Sequence, residues 1–458
     1  MTRRHVAPAR PSREEGAARI TSHLRCARHT GSLPTMTLPQ QRLCIGARTS
    51  GEPVMLDPEE RRRHLYIVGQ TGTGKSTLLL NLIRQDLVAG EGLAVLDPHG
   101  DLAEAALAHV PRSRTNDLVY INPADIERPI GFNPLSGVPD NLKPIVADGV
   151  VSAFRHVWPE SWGQRLDYIL TNAVRAILDV PGATLLMVPR LLIDEPFRTP
   201  LIAQHVTDPV VRSFWNNEYA RYSESFRVEA ISPIQNKIGK VLMEPRLRNM
   251  LAQPTSTITL RRLMDEGAIV ICNLSKGGLG ESTAHLLGAL LTTAFAQAAL
   301  SRADTPAAER RIFHLYADEF QSFATESFAL ILSEARKCAL TLTIGHQYLD
   351  QLPDDLRSAV FGNAGSIIAC RAGAEDAAIL ARQIGLGGPD ALLDLSNFTA
   401  WARLLRGGAP SSPIRLDLFD APRARRQDTH RLVNASRLRF GRPRADVEER
   451  ISRFLGVA

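Results

Sequence analysis

The order of apolar and amphipathic stretches along the chain predicts an α/β protein. Short apolar runs alternate with stretches that have the apolar spacing of a helix, beginning with a strand over 65–69 and a helix over 75–88. Further strands are predicted over 93–97, 118–121, 268–274, 313–317, 340–345 and 366–370, further helices over 280–300, 326–338 and 375–384, and late edge strands over 399–405 and 414–419. Such alternation indicates a mostly parallel sheet covered on both faces.

The alternation of strands and helices stops between residues 141 and 250. This segment has helical apolar spacing throughout, and prolines separate its helices. We therefore predict one α/β domain formed by residues 37–140 and 251–420, interrupted by an all-α insertion domain over 141–250. Residues 1–36 are predicted to be a basic, disordered arm, and residues 421–458 a basic tail.

Aromatic and basic side chains lie close together in the predicted insertion, and two interpretations of them stand. The mixture suits stacking on the bases of a nucleic acid. It also suits the core of a small helical domain, where aromatic rings fill much of the interior. The residues concerned are Trp158, Trp162, Arg165, Tyr168, Trp215, Tyr219, Arg221, Tyr222, Phe226 and Arg227.

Positive charge is concentrated at the two ends of the chain. The formal net charge is +6, with +5 in residues 1–36 and +6 in residues 421–458, so that the body between them carries −5. Basic ends of this kind can contact nucleic acid or anionic lipid, or can be solvated and disordered. Met36 stands as an alternative start, because recognisable folded sequence begins just after it.

The longest apolar stretch, residues 286–300, predicts a buried helix and not a membrane span. It is shorter than the ~20 apolar residues that a span needs, and Thr292, Thr293 and Gln297 interrupt it. The first 36 residues contain no apolar run of the kind found in a secretory signal. The five cysteines are too widely spaced for a zinc knuckle or a redox pair, which favours reduced, mostly buried cysteines in a cytosolic protein.

Residues 69–76, GQTGTGKS, have the spacing G-x-x-x-x-G-K-S of a P-loop between a predicted strand and a predicted helix. Glycines let such a loop turn its backbone N–H groups towards phosphate oxygens. Lys75 is expected to contact the β- and γ-phosphates of ATP, and Ser76 to bind Mg²⁺. The predicted nucleotide-binding residues are Gly69, Thr71, Gly72, Thr73, Gly74, Lys75, Ser76 and Thr77.

Two acidic residues follow the predicted strand over 313–317. Asp318 is predicted to bind Mg²⁺ together with Ser76, and Glu319 to act as the general base towards the attacking water. An acidic pair after a strand also fits the first turn of a helix. The P-loop elsewhere in the chain favours the catalytic interpretation.

Two further residues are candidates for catalysis. Gln347 follows the strand over 340–345, and the carboxyl ends of parallel strands line the ligand crevice, so Gln347 is placed to sense the γ-phosphate or to position water. A surface glutamine is the alternative. Arg336 fits either an arginine finger that acts across a subunit boundary or an ordinary arginine at a helix end.

The segment Asp97-Pro98-His99-Gly100-Asp101 follows another predicted strand. A metal site formed by His99 and the two aspartates is one interpretation. A turn in which Asp101 caps the next helix is the favoured one.

Taken in order, these motifs resemble those of the HerA/FtsK superfamily of ring-forming DNA motors. The segments that carry the resemblance are GQTGTGKST, AVLDPHGDL, the helical segment, FHLYADEFQSF and ARKCALTLTIGHQ. The chain looks most similar to the conjugative coupling proteins of type IV secretion, the TraD/TraG kind. The resemblance extends over residues 65–405, and residues 314–371 carry most of the closer similarity.

The resemblance implies a RecA-like fold with an all-α insertion, ATP and Mg²⁺ bound between the subunits of a hexamer, and DNA in a central channel. By position it makes Lys75 and Ser76 nucleotide and metal residues, Asp318 and Glu319 the acidic pair, and Gln347 the sensor. It leaves open which arginine crosses the interface, because members of the family differ in this.

The function expected from the resemblance is an ATP-hydrolysing DNA translocase. Single- or double-stranded DNA and secretion-channel or relaxosome proteins are the expected partners, in the cytoplasm or peripherally at the inner face of the membrane. Coupling proteins usually have an N-terminal membrane anchor, and none is recognised in this sequence. The alternatives are a soluble HerA-type DNA-processing translocase and a nucleotide-switched module that recruits proteins without moving DNA.

Overall fold

The computed structural model describes residues 42–457, apart from the side chains of Glu326, Ser327 and Leu330; the arm predicted over 1–36 and Cys26 lie outside the described residues. The described strands are β1 Leu43–Ala47, β2 Pro53–Leu56, β3 Leu65–Val68, β4 Gly92–Asp97, β5 Leu118–Ile121, β6 Ile269–Asn273, β7 Phe313–Ala317, β8 Leu340–His346, β9 Ser366–Ala369, β10 Thr399–Arg403, β11 Leu405–Arg406, β12 Ala409–Pro410 and β13 Ile414–Asp417. Eleven of them form one sheet, and β11 and β12 form a separate hairpin.

The strand order of the large sheet is β2-β1-β13-β10-β9-β3-β8-β7-β4-β6-β5. The seven strands from β9 to β5 pair in parallel, which confirms the predicted mostly parallel sheet. In β3, Tyr66 and Val68 pack into one apolar cluster while Leu65 and Ile67 pack into another on the opposite face. Both faces of the sheet are therefore covered, as expected for parallel strands linked by helices.

The last strands of the sheet are not edge strands, and this part of the prediction is wrong. β10 and β13 lie inside the sheet, because the hairpin of β1 and β2 pairs with β13 and forms the outer edge. β1 and β2 are short and antiparallel, and they precede the strand–helix repeats. The alternation that identified the other strands is absent from them.

Helices cover both faces of the sheet. They are α1 Pro58–Arg61, α2 Lys75–Ala89, α3 Asp101–Leu107, α4 Lys143–Val157, α5 Gln164–Leu178, α6 Met187–Ile193, α7 Glu195–His205, α8 Pro209–Ser213, α9 Glu224–Met243, α10 Pro245–Leu251, α11 Leu260–Glu266, α12 Lys276–Leu279, α13 Glu281–Ser301, α14 Glu326–Glu334, α15 Asp354–Asn363, α16 Ala374–Ile384, α17 Asp390–Leu393, α18 Thr429–Phe440 and α19 Arg444–Leu455.

Among residues 42–457, length and composition single out one stretch as a candidate membrane span, Glu281–Asp304, which consists of α13 and the turn after it. Its most apolar window is 72% buried within the protein. Its buried residues Leu287, Leu291 and Phe295 belong to the same apolar cluster as the sheet, which confirms the prediction of a buried helix. Cys272, Cys338 and Cys370 are also buried, and they and the half-buried Cys44 are free thiols.

The segment between β5 and β6 folds into helices, from α4 to α11, and contains no strand within its described residues. Trp215 and Tyr219 are 2% and 0% exposed, so these aromatic residues belong to the core, whereas Tyr168 is 48% exposed. Side chains of this segment share one apolar cluster with the sheet. The division of the chain into an α/β domain and an inserted domain stays a prediction.

Residues 421–457 are ordered against the rest of the protein, which corrects the prediction of a tail. The Tyr120 backbone N–H of β5 donates to Ser436 Oγ of α18 at 2.8 Å, while Val447 and Ile451 of α19 pack against Leu186. Arginines of the region pair with nearby acids, as in Arg437–Asp125, Arg444–Glu448 and Arg426–Asp428. The sequence did not predict these helices because only a few apolar positions at helical spacing, among many arginines, pack them against the core.

Candidate nucleotide-binding site

The P-loop connects β3 to α2 and needs glycine at three positions. Gly69, Gly72 and Gly74 have φ values of 150°, 77° and 109°, a region that other residues rarely adopt. A Cβ atom at Gly69 would lie 2.7 Å from Cys370 Cβ, whereas one at Gly72 would meet no atom within 4 Å. The loop therefore packs closely on the residues that follow β9 at its start and leaves open space at Gly72.

Lys75 begins α2 and turns back over the loop. Its side chain is buried, and Nζ donates to the Gln70 carbonyl oxygen at 3.1 Å. Thr73 Oγ1 donates to the same carbonyl at 2.6 Å, which holds the loop closed around the lysine. Thr71, Gly72 and Ser76 are exposed, so the open side of the loop carries two hydroxyl groups and bare backbone.

The acidic pair lies at the carboxyl end of β7, two strands from the P-loop strand. The structure brings Asp318 and Ser76 together, since Ser76 Oγ donates to Asp318 Oδ2 at 2.8 Å. Burial raises the pKa of Asp318, and the hydrogen bond from Ser76 opposes that rise. A hydroxyl and a buried carboxylate are the hard oxygen donors that Mg²⁺ prefers, so this pair fits the metal.

Glu319 is buried and has φ 47°, a left-handed conformation that costs a non-glycine residue roughly 1 kcal/mol or more. Both oxygens of its carboxylate accept hydrogen bonds from glutamine amides. Gln347 Nε2 donates to Oε1 at 2.5 Å, and Gln321 Nε2 donates to Oε2 at 2.7 Å. The predicted base and the predicted sensor are therefore in direct contact.

Gln347 also reaches the P-loop, because Thr71 Oγ1 donates to its Oε1 at 3.2 Å. The parallel register explains this meeting: Val68 at the end of β3 pairs with His346 at the end of β8, and Gln347 follows directly. A hydrogen-bonded path thus joins the loop to Glu319 through one side chain.

Arg336 is not brought to this site within one chain. It is exposed in a short 3₁₀ helix, Ala335–Cys338, which precedes β8, whereas Gln347 follows β8. The seven residues of β8 span roughly 20 Å at about 3.3 Å per residue. Arg336 therefore lies near the amino ends of the parallel strands, whereas Glu319 lies at their carboxyl ends.

Sequence reasoning missed two residues at the loop. Arg371 follows β9, and its Nε donates to Gln70 Oε1 at 3.3 Å while its backbone carbonyl accepts from the Gln70 N–H at 2.8 Å. His346 is fully buried with Nδ1 2.9 Å from Tyr66 Oη, and burial together with Lys75 lowers its pKa to about 3. Both residues stand at or after a strand end, the signal that identified Gln347.

The turn after β4 is capped by Asp97, which corrects the prediction for Asp101. Asp97 accepts from the backbone N–H groups of His99 and Ala103, each at 2.9 Å, because it stands just before the glycine turn that opens α3. Asp101 lies in the first turn of that helix and does not cap it. Residues 42–457 contain no group of three His, Cys, Asp or Glu side chains that could hold a metal, so the alternative at His99 is not supported.

Comparison with known protein families shows to which family this chain belongs. The family model described as the central domain of the helicase HerA matches residues 43–294, more than half of the chain. The chain belongs to this HerA family. The resemblance inferred from the P-loop, the acidic pair and the strand-end glutamine is thereby confirmed. A search of curated proteins finds no match to the sequence.

Solved structures share the fold of this HerA-family protein. The bacterial conjugative coupling protein TrwB, unbound, matches with a TM-score of 0.61 and 16% identity over 85% of this chain and 92% of that chain. TrwB in complex with ADP and Mg²⁺ matches with a TM-score of 0.60 and 16% identity, over 86% of this chain and 98% of that chain. VirB4 of Thermoanaerobacter pseudethanolicus matches with a TM-score of 0.58 and 14% identity, over 83% of this chain and 96% of that chain. These matches confirm the predicted RecA-like P-loop fold.

Proposed function

We propose that this HerA-family protein binds ATP with Mg²⁺ and hydrolyses it to move DNA. The observation that carries the proposal is the meeting of the P-loop and the acidic pair, with Ser76 Oγ 2.8 Å from Asp318 Oδ2 and Gln347 between Thr71 and Glu319. The TrwB structures with ADP and Mg²⁺ and with an ATP analogue support the same choice of cofactors.

Each residue of the site has a defined task in this proposal. The backbone N–H groups of the P-loop and Lys75 bind the phosphates, while Ser76 and Asp318 hold Mg²⁺. Bound ATP supplies the phosphoanhydride bond that is cleaved. Glu319 accepts the proton of the attacking water, and Gln347 orients that water against the γ-phosphate.

The active form in this proposal is a ring, expected to be hexameric. Arg336 is exposed and lies about the length of β8 away from Glu319, so in this proposal it serves the nucleotide of a neighbouring copy and not that of its own subunit. An arginine supplied in this way stabilises the negative charge of the transition state. Completion of the site by a second subunit would link hydrolysis to assembly around DNA.

DNA is the proposed cargo because the family is that of a helicase and the shared fold is that of a conjugative coupling protein. A cytoplasmic location is proposed. If the protein acts as a coupling protein, it docks at a membrane secretion channel. A HerA-type DNA-processing translocase is the second version, and the family match favours it.

The proposal is tested by ATP turnover with and without single- and double-stranded DNA. The wild-type protein is expected to hydrolyse ATP faster with DNA, Lys75→Ala to lose ATP binding, and Glu319→Gln to bind ATP while losing turnover by roughly 10²-fold or more. Lys240→Ala, which changes an exposed lysine of α9, is the control for loss of one lysine. ATP turnover that no DNA stimulates would contradict the proposal, and binding without turnover would favour the nucleotide-switched module.

A further inference from the structure

Two glutamine side chains hold the Glu319 carboxylate, and one of them, Gln321, belongs to a turn that contacts the protein outside the nucleotide site. Gln347 binds Oε1 from the end of β8, whereas Gln321 binds Oε2 from within the turn Phe320–Ser322. Since a water molecule must reach this carboxylate to be activated, the Gln321 amide competes with water for one of its oxygens. The position of the turn therefore decides whether Glu319 Oε2 is open to water.

The turn is held on its far side by the helical segment. His156 of α4 lies with Nε2 3.1 Å from the Ser322 carbonyl oxygen. A carbonyl oxygen can only accept, so the proton of the imidazole is on Nε2. Burial lowers the pKa of His156, which favours the neutral ring with a single N–H for this bond, while the hydrogen bond to Ser322 opposes that shift.

Close packing makes the turn respond as one unit. The Ser322 N–H donates to the Glu319 carbonyl oxygen at 2.9 Å, and a Cβ atom at Gly288 of α13 would lie 2.0 Å from the Phe323 ring. The ring thus lies directly on the backbone of α13, with no room for lateral movement. A displacement of α4 would reach the turn through the contact between His156 and the Ser322 carbonyl oxygen.

We propose that His156 is a positioning residue that couples the helical segment to Glu319. Movement of α4 on DNA binding shifts the Ser322 carbonyl, rotates the Phe320–Ser322 turn and withdraws Gln321 from Glu319 Oε2, which frees that oxygen for water. The inference rests on the proposed function, in which DNA stimulates ATP hydrolysis, and it adds that the helical segment is the part that responds to DNA. It adds a path by which DNA controls hydrolysis.

The test is the ratio of the DNA-stimulated kcat to the kcat without DNA. His156→Phe keeps an aromatic ring but has no donor, and we expect it to lower this ratio by roughly fivefold, the equivalent of one hydrogen bond of about 1 kcal/mol, with KM for ATP unchanged. His156→Gln retains an amide donor and is expected to restore the ratio. A purely structural role would not separate these two variants at equal thermal stability.

A double-mutant cycle with Gln321→Ala tests the route of the coupling. If His156 acts through Gln321, Gln321→Ala alone lowers the ratio and His156→Phe lowers it no further. An unchanged ratio in Gln321→Ala would overturn the inference, as would additive losses in the double variant, and Gln321→Ala serves as the test even if His156→Phe does not fold. A wild-type protein without DNA-stimulated ATPase activity would instead overturn the proposed function.

Discussion

At the scale of single residues, Gly345 in β8 fixes how closely the Asp318 carboxylate can approach this strand. A Cβ atom at this position would lie 2.9 Å from Asp318 Oδ1 and 3.2 Å from Leu79 Cδ1. The bare α-carbon therefore leaves the space in which Asp318 turns towards Ser76. The sequence shows a glycine inside a strand but not the carboxylate beside it.

Gly345→Ala is expected to weaken Mg²⁺-dependent ATP binding on the order of tenfold, because the added methyl group displaces the Asp318 carboxylate. The measurement is ATP affinity at increasing Mg²⁺ concentration. Gly362→Ala is the matched control, since a Cβ atom there meets nothing within 4 Å. Equal Mg²⁺ dependence in both variants would show that Gly345 does not position the carboxylate.

His64 is a buried residue in the left-handed region, with φ 63°, and both ring nitrogens have fixed partners. Nδ1 accepts from the Leu342 N–H at 3.1 Å, and Nε2 lies 3.0 Å from the Leu332 carbonyl oxygen. Burial lowers the pKa of His64 to about 4; the hydrogen bond to Leu332 opposes this and Arg336 adds to it. The folded protein therefore requires the neutral ring.

This requirement predicts acid sensitivity. Between the unfolded pKa of about 6.5 and the folded pKa of about 4, the unfolded chain binds the proton more readily, so the free energy of unfolding falls as pH falls through this window. We expect His64 to contribute a loss of about 1 kcal/mol between pH 6.5 and 5.5. Urea denaturation at both pH values measures it.

His64→Asn is the matched variant for this measurement. Asparagine tolerates the left-handed conformation and offers one acceptor and one donor without titrating in this range. The variant is expected to lose less stability than the wild type over the same pH interval. Identical pH dependence in the two proteins would rule out His64 as the source.

At the scale of elements, α18 closes the edge of the sheet at β5. An edge strand exposes N–H groups that can pair with other chains, and Ser436 Oγ accepts the Tyr120 N–H in a buried contact. The arginine-rich region thus has a structural role that its charge does not reveal. Arg431 and Arg439 of the helix are exposed, while Leu432 is buried.

Ser436→Ala is expected to lower the free energy of unfolding by about 1–3 kcal/mol, because the Tyr120 N–H would remain buried without an acceptor. Chemical denaturation measures the change. Asn434→Ala, an exposed position of the same helix, is the control and should change stability by less than about 0.5 kcal/mol. A loss for Ser436→Ala no larger than that of the control would contradict the proposed role of α18.

At the scale of the whole molecule, the sequence predicts best what depends on local spacing. The P-loop, β7 with its acidic pair and β8 follow from short motifs and from the rule that parallel strands present their carboxyl ends at one edge. The P-loop residues, Asp318, Glu319 and Gln347 are assembled there, and their catalytic roles stay predictions. Arg336 is the exception, because its partner would be another copy of the chain.

The parts that the sequence does not reveal depend on contacts between distant segments. His156 and Ser322 are 166 positions apart, and nothing near either residue indicates the other. The β1–β2 hairpin joins the sheet through β13, which comes more than 300 residues later in the chain. Periodicity describes an element's buried face but does not name the element that covers it.

ATP-driven movement along DNA is the central claim, and displacement of a triplex-forming oligonucleotide from duplex DNA tests it most directly. We expect the wild-type protein with ATP and Mg²⁺ to displace the third strand, and Lys75→Ala and Glu319→Gln to leave it in place. If the wild-type protein hydrolysed ATP on this DNA and the third strand stayed bound, with no displacement of a blocking protein from single-stranded DNA either, the protein would not be a translocase.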